Sequence, residues 1–366
     1  MVMNEANFRL AIMLRCPGIG CRYLGKLLTA FPDVQDLWRA SGEAMAATGK
    51  IPLRLAQRLA AFCREHTAEA EKLAALCKER QIKVVSIMEE NYPQVLREIY
   101  DPPVLLYYRG TLVPEARRLA MVGSRKYSSY GEATALDFAE KIAAQGLTIV
   151  SGAARGIDTF SHRGALKSGR TVAVLGCGVD VAYPFENRKL LQEIAASGGA
   201  VVSEYEPGTK PLPQHFPARN RIISGLAEGT LVVEAASRSG SLITAEQALS
   251  AGRDVYAIPG SIYSPGCAGC NRLIQQGAKL IMTPADVWEE FQIEAAVPPR
   301  KRLNLTPEER QIYQVLSFEH PLTMDEIIMS LPDGEIANIS YWLLHMELNG
   351  VVIENELHAF RRAERE

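Results

Sequence analysis

Bulk charge is the first thing this 366-residue chain lacks: 40 lysines and arginines face 42 aspartates and glutamates, a formal net charge of -2. A protein that coats nucleic acid by overall charge is excluded, although a local basic groove is not. Long apolar runs are missing as well. None can span a bilayer, and the first residues do not follow the charged, apolar and small-residue order of a signal peptide. The expectation is a cytoplasmic protein with no membrane partner. Cysteine is sparse, with seven residues at irregular spacing, an odd count that points to reduced thiols rather than a disulfide framework. The single CxxC, Cys267 and Cys270, has no second ligand pair and is read as incidental, so no zinc is expected. No Walker lysine follows a glycine loop, and Gly176-Cys177-Gly178 has Val181 where a dinucleotide fingerprint needs its third glycine. No cofactor and no catalytic residue are assigned.

What is present is 47% hydrophobic and 22% charged residues, enough for one large core and one or two small domains. Residues 1–80 read as a small helical domain. Its turn Pro17-Gly18-Ile19-Gly20 between apolar helices has the form of a helix-hairpin-helix or SAM-like unit, and Thr48-Gly49-Lys50-Ile51-Pro52 is a degenerate second copy. Such a turn either shows backbone N–H groups to a nucleic-acid phosphate or simply lets two helices pack closely. Residues 81–292 alternate apolar runs of strand length with helical periods, the pattern of an α/β, mostly parallel sheet covered on both faces. Pro298-Pro299-Arg300-Lys301-Arg302 lies in a linker, 293–303. Residues 304–366 then read as a winged helix, opened by Thr306-Pro307-Glu308-Glu309 as a helix start. Its third helix, INISYWLLHMELNG, has no Lys or Arg, so base readout is not its expected task.

Ligands of parallel sheets bind beyond the carboxyl ends of the strands. Those ends are uniform here: Gly123-Ser124-Arg125, then Ser151-Gly152 running on to Arg155-Gly156, then Arg188-Lys189 beyond the third run. Arg219-Asn220-Arg221 sits at the expected start of a helix, and Ser239-Gly240-Ser241 opens the next. Glycine permits close backbone approach, helix N-termini favour anions, and the guanidinium fork matches phosphate oxygens. Arginines spread over several strand ends suit a row of backbone phosphates, with Tyr127, Tyr183 and Phe216 as stacking candidates. Asp158 and Asp180 are expected to hydrogen-bond glycine-loop amides. Ile262, Tyr263, Leu273 and Ile274 are read as completing the core.

The ordered series VGSRKYSSYG, SGAARGID, AVLGCGVDVAYPFENRKL, SEYEPGTKPLPQHFPARNRIISGL, VVEAASRSGSLITAEQAL, GRDVYAIPGS and GCNRLIQQGA resembles the DNA-processing protein A (DprA/Smf) family. The resemblance implies an extended Rossmann-like domain that binds single-stranded DNA. It further implies a homodimer that protects incoming DNA and loads the recombinase RecA during natural transformation. Arg125 matches the phosphate-binding arginine of the family's G-S/T-R motif, and Arg188, with Lys189 beside it, matches the basic position after the tyrosine-proline turn. The family's RNR and SGS motifs are intact. The competing reading is a nucleotide-processing enzyme, phosphoribohydrolase-like, with Gly240-Ser241 at a phosphate and Glu234 or Glu246 as acid/base; its spacing departs from the PGGxGTxxE pattern of that chemistry.

Overall fold

The apolar runs read from the sequence become strands of one sheet. The computed structural model describes residues 4–293, 305–318, 320–331, 338–355 and 358–363, and the chain divides into two compact units, Met1–Ala295 and Ala296–Glu366.

The first unit begins with six helices: α1 (Glu5–Arg15), α2 (Cys21–Ala30), α3 (Val34–Arg39), α4 (Gly42–Gly49), α5 (Leu53–Glu65) and α6 (Thr67–Glu79). A short lead-in follows: β1 (Lys83–Ser86), α7 (Gln94–Arg97) and β2 (Leu105–Gly110). The regular alternation then runs β3 (Arg118–Val122), α8 (Ser129–Ala144), β4 (Thr148–Ser151), α9 (Ile157–Ser168), β5 (Thr171–Val174), α10 (Arg188–Ala196) and β6 (Ala200–Ser203). It continues through α11 (His215–Gly225), β7 (Gly229–Val232), α12 (Ser241–Ser250), β8 (Asp254–Ala257), α13 (Ala268–Gln275), β9 (Lys279–Leu280) and α14 (Pro284–Glu290).

The nine strands lie in the order β1-β2-β6-β5-β4-β3-β7-β8-β9. From β6 to β9 all neighbours are parallel, and β1 and β2 add an antiparallel edge. Every residue of β3, β4, β5, β6 and β7 is buried, as a strand covered on both faces requires. Alternate side chains serve opposite cores. Val122, Val150, Val174, Val202 and Val232 pack with Ile222 of α11 and Ala245 of α12. Met121, Ile149 and Leu231 pack with Phe138 and Ile142 of α8, while Ala173, Val201 and Tyr107 meet the N-terminal helices through residues such as Leu10, Leu24 and Leu73. The helices set apart in the sequence as residues 1–80 thus share a core with the sheet.

The chain enters the parallel sheet at β3, steps outward through β4, β5 and β6, and restarts on the other side of β3 with β7. The strand order therefore reverses between β3 and β7, the place where a parallel sheet opens a crevice at its carboxyl edge. The second unit contains α15 (Pro307–Val315), α16 (Met324–Ser330) and α17 (Ile339–Leu348), with a three-stranded sheet of β10 (Leu322–Thr323), β12 (Ala359–Arg362) and β11 (Val352–Glu354) in that order. Its first helix carries the expected capping box, Thr306 with Glu309.

Candidate nucleic-acid interface

The crevice between β3 and β7 is closed at its floor by backbone and by one carboxylate. The Ser124 amide donates to the Glu234 carbonyl at 2.7 Å, tying the two strand ends together. Glu234 is 2% exposed, and its Oε2 accepts from the Ser128 amide at 3.0 Å at the start of α8. The acid named in the enzyme reading is thus built into the floor. Glu246, the other, is an exposed residue of α12.

Above this floor lie the glycine-rich turns. The loop after β4 touches the loop after β3 at Gly156, whose φ is 82° and where a Cβ would overlap the Ser124 carbonyl oxygen; only glycine fits both constraints. Gly156 leaves α9 without a side-chain cap, and Gly240 does the same for α12. The first amide of α9 donates to the Ser124 carbonyl, and the first three of α12 donate to Ser239 Oγ and to the Ser239 and Gly240 carbonyls; what the two helix N-termini add to the sheet's carboxyl edge is the partial positive charge of their dipoles, which favours anions. Around them stand exposed cations on separate crossovers: Arg125 and Lys126 after β3, Arg155 after β4, Arg188 and Lys189 at the start of α10, and Arg238 after β7. Among the described residues Arg155 alone of these is held in an ion pair, with Glu186. Arg125 lies over the Phe216 ring, 5.9 Å from its centroid. From β6 to β7 the rim crosses five adjacent strands, about 19 Å at the usual strand spacing, longer than one nucleotide needs.

Not every predicted site residue reaches this surface. Arg219 lies in the middle of α11 rather than at its start, is 3% exposed, and donates through Nη1 to the carbonyls of Gly152, at 2.7 Å, and Val174. Burial pulls its guanidinium down to about 10, against the opposing pull of the Asp158 carboxylate. Ser151 is fully buried and donates to the Met121 carbonyl at 2.6 Å. Both are corrected from surface contacts to parts of the frame, because both are buried and spend their donors on backbone carbonyls at the ends of neighbouring strands. Ser124 bonds within its own turn, through the Lys126 carbonyl and amide. Arg221 is forked onto Glu204 at 2.6 and 3.0 Å, with Asp101 at 3.6 Å. Gly123, Asn220, Ser239 and Gly240 remain at least partly exposed, and Ser241 is buried beneath its turn, with its hydroxyl 2.8 Å from that of Ser239.

Asp158 accepts from the Ala154 amide at 3.3 Å and Asp180 from the Gly208 amide at 2.8 Å, the loop-amide roles expected of them. Tyr127 and Tyr183 are about half exposed, Tyr127 in an edge contact with the Phe160 ring and Tyr183 tilted against the Phe216 ring. Ile262 and Tyr263 correct the core assignment: they are 82% and 89% exposed, whereas Leu273 is buried. Sequence reasoning missed Lys126 and Arg238, although both flank glycine turns that it singled out. Among the described residues no group of three or more His, Cys, Asp and Glu is placed to hold a metal, and no helix is long and apolar enough to cross a membrane.

Two predictions arise here. Glu186→Gln releases Arg155 to the rim, and single-stranded DNA affinity is expected to rise about two- to threefold, the scale of one exposed ion pair; an unchanged anisotropy titration speaks against Arg155 as a contact. His162, fully buried with Nδ1 2.6 Å from the Thr171 hydroxyl, is pushed down from 6.5 to about 3 by burial. Its folded value lies below its unfolded one, so stability is lost as pH falls from 6.5 towards 3, at up to about 1.4 kcal/mol per pH unit. The difference between the wild type and His162→Gln isolates this loss from the opposite trend of Asp158, which burial raises. Parallel melting curves for the two proteins between pH 6.5 and 4.5 contradict the assignment.

Comparison with known proteins follows the same outline. Residues 83–292 match the family model described as DNA recombination-mediator protein A. The DNA processing protein DprA of Streptococcus pneumoniae is 50% identical over 209 residues, 57% of this chain and 73% of that protein. Protein Smf of Escherichia coli is 43% identical over 244 residues, 66% of this chain and 64% of that protein. Among solved structures, DNA processing protein A of S. pneumoniae aligns with a TM-score of 0.69 at 38% identity, over 79% of this chain and 99% of that one. DNA processing protein A of Helicobacter pylori, solved for its single-stranded DNA binding mode, aligns with a TM-score of 0.52 at 29% identity, over 58% of this chain and 96% of that one.

Proposed function

Because this chain belongs to the DNA recombination-mediator protein A family, we propose that it is a non-catalytic mediator that lays single-stranded DNA along the carboxyl rim of its sheet. The observation that carries this reading is the row of exposed cations from four crossovers, five of them without a carboxylate partner among the described residues, gathered around the N-termini of α9 and α12. Such a row fits a polymer of phosphates better than a single nucleotide. Arg125, Arg188 and Lys189 hold backbone phosphates in this proposal, joined by Lys126 and Arg238. Gly123, Arg155, Asn220, Ser239 and Gly240 let the strand approach, above the loop junction that the buried Gly156 packs tight. Ser124, Ser151, Gly152, Arg219, Arg221 and Ser241 keep the turns in place beneath.

The same proposal has the protein act as a homodimer in the cytoplasm, protect incoming DNA and load RecA onto it during natural transformation. The exposed Ile262 and Tyr263 are apolar candidates for either protein contact. The helices of 4–80 are taken as a helix-hairpin-helix or SAM-like unit and the second compact unit as a winged helix without a base-reading face. The test is a titration with single- and double-stranded oligonucleotides of equal length across salt. Tighter binding of the single strand, weakening steeply with salt, is expected; equal or salt-independent binding defeats the proposal. Release of free base from nucleoside monophosphates would instead favour the enzyme reading.

A further inference from the structure

The loop between β8 and α13 belongs to the sheet's carboxyl edge, yet the cation row leaves it out. From Val255 to Asn271 the chain carries no charged residue, so the row that starts beyond β5 ends after β7 at Arg238. Because β8 runs parallel to β7, this loop leaves the sheet on the same edge, one strand spacing further along. With it the rim grows from about 19 Å to about 24 Å. At the tip of the loop stand Ile262 and Tyr263, both more than four-fifths exposed.

The tip is exposed, but the loop is braced on both sides of it. The Gly260 amide donates to Asn271 Oδ1 at 3.2 Å and its carbonyl accepts from Asn271 Nδ2 at 3.0 Å, which fastens the outgoing limb to α13. Tyr130 of α8 donates to the Pro259 carbonyl at 3.0 Å. At the tip itself, the Ser264 amide closes a turn onto the Ser261 carbonyl at 3.0 Å, and the Tyr263 amide donates to the Ser261 hydroxyl at 3.3 Å. The returning limb reaches the crevice: a Cβ on Gly266 would lie 2.8 Å from Glu234 Oε1, and the Gly269 amide donates to the Ala235 carbonyl at 2.7 Å. The loop is thus rooted at the floor between β3 and β7, next to the turn that carries Arg238. Its buried Cys267 and Cys270 serve the core; the two side chains at its tip do not.

We propose that Ile262 and Tyr263 form a base platform at the end of the track: phosphates are held as far as Arg238, and beyond it a base stacks on Tyr263 and packs on Ile262. The inference rests on the rim being a track for a single strand. An uncharged loop offers a phosphate nothing, whereas an aromatic ring takes the face of any base. Phosphates are common to single strands and duplexes, but only a single strand has an unpaired base to splay onto a ring. The platform therefore supplies the preference for single strands that a row of cations lacks. A protein contact is the competing use. The two side chains offer less than about 400 Å² between them, against roughly 800 Å² per partner in a standard interface, and their continuity with the cation row favours DNA.

The experiment uses the full chain with oligo-dT, an abasic strand of the same length and charge, and a duplex of equal length. Tyr263→Ala is expected to weaken oligo-dT binding about tenfold, the scale of one lost base stack. The salt slope stays unchanged, because no phosphate contact is removed. Affinities for the abasic strand and the duplex stay within about twofold, so the advantage of oligo-dT over both shrinks about tenfold. Tyr263→Phe keeps the ring and retains wild-type binding. Arg125→Ala gives the opposite pattern, lowering the slope on oligo-dT and the abasic strand alike, which separates failure of the platform from failure of the track. Wild-type affinity of Tyr263→Ala for oligo-dT, or an equal loss on the abasic strand, overturns the proposal. So does a variant that elutes as a smaller species and regains oligo-dT affinity at concentrations that restore the wild-type assembly, since the tyrosine then serves a protein contact.

Discussion

Arg219→Ala is expected to lower stability by about 3–5 kcal/mol, the cost of breaking a buried charge network by removing one partner. The arginine is 3% exposed and joins the ends of β4 and β5 through the Gly152 and Val174 carbonyls. Without it those two acceptors lose their donor. Asp158, which burial already raises and Arg219 holds down, is left more costly to ionise. The loop they support carries Gly156, so DNA binding falls together with the melting temperature. Arg219→Lys is expected to restore part of the loss, because both carbonyls accept from the single nitrogen Nη1 and an ammonium also has protons for two acceptors. A variant that melts within about 1 kcal/mol of wild type yet loses DNA returns Arg219 to the surface role that its burial denies it.

That distinction was not legible in the sequence. Arg219 and Arg221 flank one asparagine in a motif that reads as a pair of clamps, but successive helix positions point about 100° apart and these two nearly 200°. One guanidinium enters the sheet's interior and the other meets Glu204 and Asp101, and nothing local to the motif shows which partners the fold will bring. The strand ends were legible, because short continuous apolar runs alternating with helical periods fit strands buried on both faces, and nearly every run empties into glycine, serine or arginine. Chain order also gave the crevice between β3 and β7 its raw materials, though not its position, which depends on the strand order 6-5-4-3-7. Ser151 misled for a similar reason: at the last position of β4 a serine faces either the ligand or the neighbouring strand, and here it bonds Met121. The exposure of Ile262 and Tyr263 was hidden because an apolar pair after a strand reads as core unless the loop's path is known.

Arg125→Ala/Arg188→Ala/Arg238→Ala is expected to leave the melting curve in place and reduce single-stranded DNA affinity on the order of 10³-fold, from about 1.5 kcal/mol for each charge-assisted contact. All three side chains are exposed and have no carboxylate partner among the described residues, so the fold loses little with them beyond the contact of Arg125 with the Phe216 ring. They come from crossovers after β3, β5 and β7, which straddle the place where the strand order reverses. If one strand passes all of them, the salt slope falls by about 2, at roughly 0.7 per phosphate on single strands. The single variants then divide that change nearly evenly. Loss on oligo-dT and oligo-dA must also be equal, because phosphate contacts carry no base information. A drop confined to one arginine, with the slope reduced by less than about 1, describes a pocket for a single phosphate rather than a track. In that case the ligand is compact, and the nucleotide-processing reading regains the site.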